Sequence, residues 1–184
     1  MVKEFFTRDE INAKLKPVNL DGLDVFDKNL AVAAYPITFQ IAAKGEDAGL
    51  VEKARASLGN ASFSNRDLSK LVTVVMTGVT ALTRGTASKM DQKGILYPAD
   101  KVVSLLQNAD ITHISNEVSF VEGGNAAKSH TMVFCSRPEY MELLKFVGTD
   151  VIEITGNHLN DYGSKWLAYT LDIYDSEGIP YFGG

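Results

Sequence analysis

The sequence predicts an α/β fold with a mostly parallel sheet and flanking helices, and three observations carry that reading. From Leu71 onward, short apolar runs alternate with helix-length amphipathic segments, the rhythm of strand–crossover units. The first run, Leu71 to Met76, is rich in apolar, β-branched residues, as a strand buried on both faces requires. Polar clusters then follow three successive strands, at the sheet end where open α/β folds bind ligands.

Each element has its own warrant. After the strand at 71–76, Pro98 to Gln107 reads as a helix with Val102, Val103 and Leu106 on one face. Asp110 to Ser115 is the second strand. Ser136-Arg137-Pro138-Glu139 has capping-box spacing and opens a helix through Met141, Leu144 and Val147, closed by Gly148. Val151 to Thr155 is the third strand. Ser164 then starts a helix with Trp166, Leu167, Thr170, Leu171 and Tyr174 on one stripe, stopped by Gly178. Ile179 to Phe182 is a short fourth strand.

Upstream the pattern differs. Glu10 to Lys16 reads as the end of a short helix halted by Pro17. Leu30 to Ala42 alternates well enough for one strand or a pair, with Pro36 marking an edge or a strand start. Glu46 to Leu58 reads as a helix with Gly59 as its stop, and polar, turn-rich Asn60 to Ser69 as a boundary. Residues 1–69 therefore form an N-terminal segment of unclear role, read as the tail of a preceding domain, and 70–184 form the α/β domain.

Composition narrows the function classes. With 184 residues and 45% of them hydrophobic, the chain can build one layered core. A net charge of −5 excludes a dedicated nucleic-acid surface and suits a divalent cation better than a bare phosphate. No apolar run reaches the roughly 20 residues that cross a bilayer, and no signal-peptide pattern opens the chain. The single cysteine, Cys135, excludes an intrachain disulfide.

The chemistry concentrates in three clusters: Thr77-Gly78-Val79-Thr80 with Arg84, Ser115-Asn116-Glu117, and Gly156-Asn157-His158 with Asp161. In a parallel sheet all strand ends point one way, so the three can converge. Carboxylate, amide and imidazole together suit hard or borderline cations, which makes Glu117, Asn157 and His158 candidate metal ligands. His158 can also pass a proton near neutral pH, with Asp161 beside it. Thr77, Gly78, Thr80, Arg84 and Tyr162 are candidate substrate contacts. Weighed against these, Arg84, Lys89 and Lys93 read first as a solvated loop. His113 reads as a satisfied structural histidine, His130 as exposed, Cys135 as a small buried residue, and Trp166 and Tyr174 as core.

Val74-Val75-Met76-Thr77-Gly78-Val79-Thr80, Ala109 to Glu117 and Thr155-Gly156-Asn157-His158-Leu159-Asn160-Asp161-Tyr162-Gly163 together resemble the CapA family. Phe134-Cys135-Ser136-Arg137-Pro138 and the ending from Thr170 to Gly184 also fit its pattern. The resemblance spans about 71–184. It implies the first half of a metallophosphatase-like α/β/β/α sandwich and a role in capsule or poly-γ-glutamate synthesis. It also implies a bacterial, envelope setting and a C-terminally truncated domain.

A divalent Mn, Zn or Mg would be the implied cofactor, with Asn116, Glu117 and Asn157 as ligands and His158 acting on the leaving group. The position where the family carries its first metal-binding Asp is Val79 here, which cannot bind a metal. Implied partners are an anionic polymer or phosphoester and other capsule-synthesis proteins. Three readings stay open: a capsule-assembly component with an altered site, a metal-dependent phosphoesterase-type hydrolase, and a non-catalytic binding module.

Overall fold

A computed structural model describes residues 18–37, 43–58, 67–127 and 130–184. The chain divides into two compact units, Met1–Leu71 and Val72–Gly184.

In the first unit helix α1, Ala48–Leu58, starts where Asp47 caps it: the carboxylate accepts from the Gly49 and Leu50 amides at 2.8 and 3.1 Å. The strand expected from Leu30 does not form over residues 30–37. A single 3-10 turn, Val32–Ala34, stands there, closed by the Tyr35 amide on the Val32 carbonyl. Pro36 then offers no amide to a ladder. Residues 38–42 of that expected strand, and the helix expected over 10–16, lie outside the described residues.

The second unit is α/β. Four parallel strands, β1 (Val74–Thr80), β2 (Ile111–Asn116), β3 (Val151–Glu153) and β4 (Tyr181–Phe182), pair in the order β1-β2-β3-β4. β1 runs further than the apolar run predicts, into Thr77-Gly78-Val79-Thr80. An irregularity makes this possible. Register shifts between Met76 and Val79, so three steps on β1 match two on β2. Thr77 Oγ1 accepts the Ser115 amide at 3.2 Å inside the shift, and the Thr80 carbonyl accepts the Glu117 amide beyond it. A side chain thus replaces the ladder bond that the bulge removes.

Helices α2 (Arg84–Lys93), α3 (Val103–Gln107), α4 (Met141–Phe146) and α5 (Ser164–Glu177) connect the strands. The segment 84–93 is helical rather than the loop its charge suggests. Only Ala87 and Met90 on it are buried, so its apolar signal is two residues, three apart. The expected helix over 98–107 is split into a 3-10 turn, Tyr97–Ala99, and α3. The capping box at Ser136 does not form. Its hydroxyl donates to the Leu82 carbonyl at 3.1 Å, and a 3-10 turn, Pro138–Tyr140, leads into α4 instead.

Residues paired in register share a face of a parallel sheet. Ile114 and Ile152 pack with Met90, Leu106, Leu144 and Tyr174 into the buried cluster, so the helices lie on that face. Tyr174 is buried while Trp166 is only partly so, and burial holds the Tyr174 hydroxyl far above its ordinary pKa. The opposite face carries Val74, Met76, Val79, Ile111 and Phe182, all exposed.

Candidate functional site

Strand ends bring the three polar clusters together. The Glu117 amide bonds to Thr80 at the end of β1, and Val118 forms a parallel bridge with His158 beyond β3. Gly156 lies against Glu117 so closely that a Cβ on it would stand 2.4 Å from the Glu117 Cα. Glycine is what lets the two strand-end loops touch.

The best-formed chemistry is a histidine–carboxylate pair. His158 Nδ1 lies 2.7 Å from Asp161 Oδ2, and that oxygen also accepts the Phe134 amide at 2.7 Å. An ionised carboxylate only accepts, so the imidazole carries its proton on Nδ1 and leaves Nε2 to exchange a proton with a ligand. The Phe134 ring packs on the imidazole with centroids 4.3 Å apart. The Arg84 guanidinium lies 5.4 Å from the centre of the same phenyl ring. Both His158 and Asp161 are mostly buried, with side chains 14% and 18% exposed.

The segment 134–136 ties these parts down; in the sequence Cys135 reads as a small buried residue and Ser136 as a capping-box start, while Phe134 stands only in a family-like block. Phe134 serves Asp161 and His158, Cys135 lies beside Tyr162, and Ser136 bonds the Ser119 and Leu82 carbonyls. Burial pushes the Cys135 thiol up, partly offset by the Tyr162 contact. That same contact, with burial and the nearby Asp161 charge, raises the Tyr162 hydroxyl. Tyr162 itself remains exposed.

The other sequence candidates have visible duties. Asn116 is buried, and its Nδ2 donates to the Val118 carbonyl and to the Tyr174 hydroxyl at 2.8 and 2.6 Å. Thr77 and Thr80 hydroxyls lie 3.1 Å apart at the bulge, and Gly78 is exposed. Glu117 is half-buried and Asn157 is exposed. Thr77 and Thr80 also border a cavity of about 460 Å³ lined by Leu82, Leu106, Ile114 and Leu144. Neither Glu117, His158 nor Asp161 reaches it, so that apolar cavity and the histidine pair are separate features.

His113 is buried but not satisfied. Its ring nitrogens have no hydrogen bond, and the 3.4 Å approach of Nε2 to the Glu153 carboxylate is not aligned as one. His130 is exposed.

The donor set does not fit a self-contained divalent-metal centre. Among the described residues no group of three or more His, Cys, Asp or Glu side chains is placed to hold an ion. Val79, at the position where the resemblance implies a metal-binding Asp, is 70% exposed.

The model of one protein family, the bacterial capsule synthesis protein PGA_cap, matches residues 73–184. No curated protein matches the chain significantly. The matched span takes in all four strands and every residue of the site described above.

Proposed function

The chain belongs to the bacterial capsule synthesis protein family, and we propose that its α/β unit binds an anionic capsule polymer of the poly-γ-glutamate type at the β1–β3 strand ends. The observation that carries this is the His158–Asp161 pair, locked by the Phe134 amide and ring. Asp161 holds the imidazole in one orientation and stabilises it when protonated. In hydrolysis of a γ-amide bond, His158 takes a proton through Nε2 from the water that adds to the carbonyl carbon and returns it to the nitrogen that leaves. Tyr162, exposed beside the pair, is the residue this reading assigns to hydrogen-bond the polymer backbone, and its exposure supports that assignment. Among the described residues no set of side chains assembles a metal site, so the proton transfer rests on His158 and Asp161.

The test uses the full chain with defined γ-glutamate oligomers, following chain-length change and binding for wild type, His158→Ala and Asp161→Asn. General acid–base catalysis contributes roughly 10²–10⁴-fold, so His158→Ala is expected to lose at least about 10² in turnover. Asp161→Asn is expected to lose less, since the imidazole persists but is no longer held. Turnover unchanged in both variants would dismiss the pair as the working group.

A second reading is favoured by Val79: a binding role with a degenerate site. It predicts polymer binding without chain-length change, and binding that survives His158→Ala.

A further inference from the structure

We propose that the first turns of α5, with the turn at Glu122 beside them, form a saccharide-binding surface in which a sugar ring lies on the Trp166 indole. This site goes beyond the polymer reading above and does not depend on the His158–Asp161 pair.

Trp166 is the only tryptophan of the chain, and it stands on a helix stripe that predicts core. The structure places it otherwise. Leu167, Tyr169, Leu171 and Ile173 pack against the buried cluster, whereas Trp166 stays half-buried. The Tyr169 ring meets the indole at 90°, with centroids 5.5 Å apart, a perpendicular contact that fixes the plane of the indole. The exposed Lys165 extends its ammonium over that plane, 4.7 Å from the ring centre. An ammonium is strongly hydrated, so the face it covers is open to water. At an exposed site such a cation–π contact is weak, and a ligand can displace it.

The polar groups around the indole decide what it suits. The Tyr169 hydroxyl donates to Glu122 Oε1 at 2.8 Å, which leaves Oε2 without a hydrogen bond among the described residues. Within the same residues the indole N–H has no acceptor and the Lys165 ammonium no carboxylate. A flat apolar plate is thus rimmed by one open acceptor and two open donors. A sugar ring offers the complement: C–H groups on its face, and around its edge hydroxyls that both donate and accept. An apolar peptide or a lipid surface would use the plate and bury the Glu122 carboxylate unpaired, which is costly. A nucleic acid could stack there, but that carboxylate and a net charge of −5 repel its phosphates.

The experiment follows the emission of Trp166, the only indole in the chain, while neutral hexose and N-acetylhexosamine oligomers are titrated into the full chain. At least one of the two is expected to give a saturable change in emission and to shield the indole from acrylamide. Glu122→Gln keeps the shape and removes the charge. It is expected to bind that oligomer at least about threefold more weakly, with an unchanged thermal midpoint. Trp166→Ala, followed by calorimetry, is expected to bind at least about tenfold more weakly. If Trp166→Ala also melts lower, the Glu122→Gln result decides. Wild type responding to neither oligomer overturns the proposal, and so does equal binding by wild type and Glu122→Gln. An emission change produced by phosphatidylcholine vesicles and by neither oligomer overturns it as well, and assigns the indole to a membrane surface.

Discussion

At residue scale, Val79 decides how the site departs from a metal centre. Its partner across the ladder is Ser115, and it is 70% exposed, so a carboxylate there meets water rather than the core. Val79→Asp is therefore expected to change stability by no more than about 0.5 kcal/mol, the usual range for surface positions. It is also expected to raise affinity for Mn²⁺ measured calorimetrically. Unchanged affinity would show that Glu117, Asn157 and His158 are not an incomplete ligand shell.

Cys135 and Tyr162 supply a second expectation at this scale. Both groups keep their protons in the folded chain at pH values where an unfolded chain begins to lose them. A raised folded pKa gives stability that is full below the unfolded value and lost as pH rises through the folded one. Denaturant midpoints should hold up to about pH 8.5 and then fall, and Cys135→Ala should flatten that fall. An equally steep fall in the variant would assign the alkaline loss to other groups.

At element scale, what joins the strand ends is close packing of backbone rather than side-chain recognition. A methyl group on Gly156 would stand 2.4 Å from the Glu117 Cα and 2.7 Å from its carbonyl oxygen, neither of which can swing away. Gly156→Ala should cost about 2 kcal/mol or more in chemical denaturation, the scale of overpacking at a rigid contact. A near-neutral result would mean that the β2 and β3 end loops are free to separate.

This contact also shows where sequence reasoning stops. The parallel sense and the convergence of the three clusters follow from the alternation of runs, because strand–helix–strand units place successive strand ends on one side of a sheet; the strand order does not. The His158–Asp161 pairing follows from three-residue spacing in one loop. The partnership of Phe134 with both residues does not, since 27 positions separate it from Asp161 and no periodicity encodes a loop returning to a site. The bulge at Thr77-Gly78 was hidden for a similar reason: its ladder bond is replaced by a threonine hydroxyl, which looks like ordinary turn chemistry in sequence. Ser136 misled because a capping-box spacing is local, whereas its hydroxyl bonds Leu82, 54 residues away.

At the scale of the second unit, the helices cover one face of the sheet, and among the described residues the other face is largely exposed, with His113 its buried exception. Parallel sheets are ordinarily buried on both faces, and β1 is also an edge strand. Met76 is 67% exposed and Phe182 51%, at opposite edges of the bare face, while the helix-side residues Ile114 and Ile152 are almost fully buried. The apolar run from Leu71 predicts burial on both sides and is half right for that reason: Val75 packs toward the helices, and Val74 and Met76 do not. A long apolar edge strand with an open face is a template for association between chains. Placing a charge on it should therefore act on association and leave folding alone. Met76→Lys removes little buried area, so its unfolding free energy should stay within about 0.5 kcal/mol of wild type. Concentration-dependent light scattering and binding of an apolar fluorescent dye should both fall. A substantial loss of stability in Met76→Lys would instead mean that this face is packed in solution, and that the exposed sheet surface is covered within the folded chain.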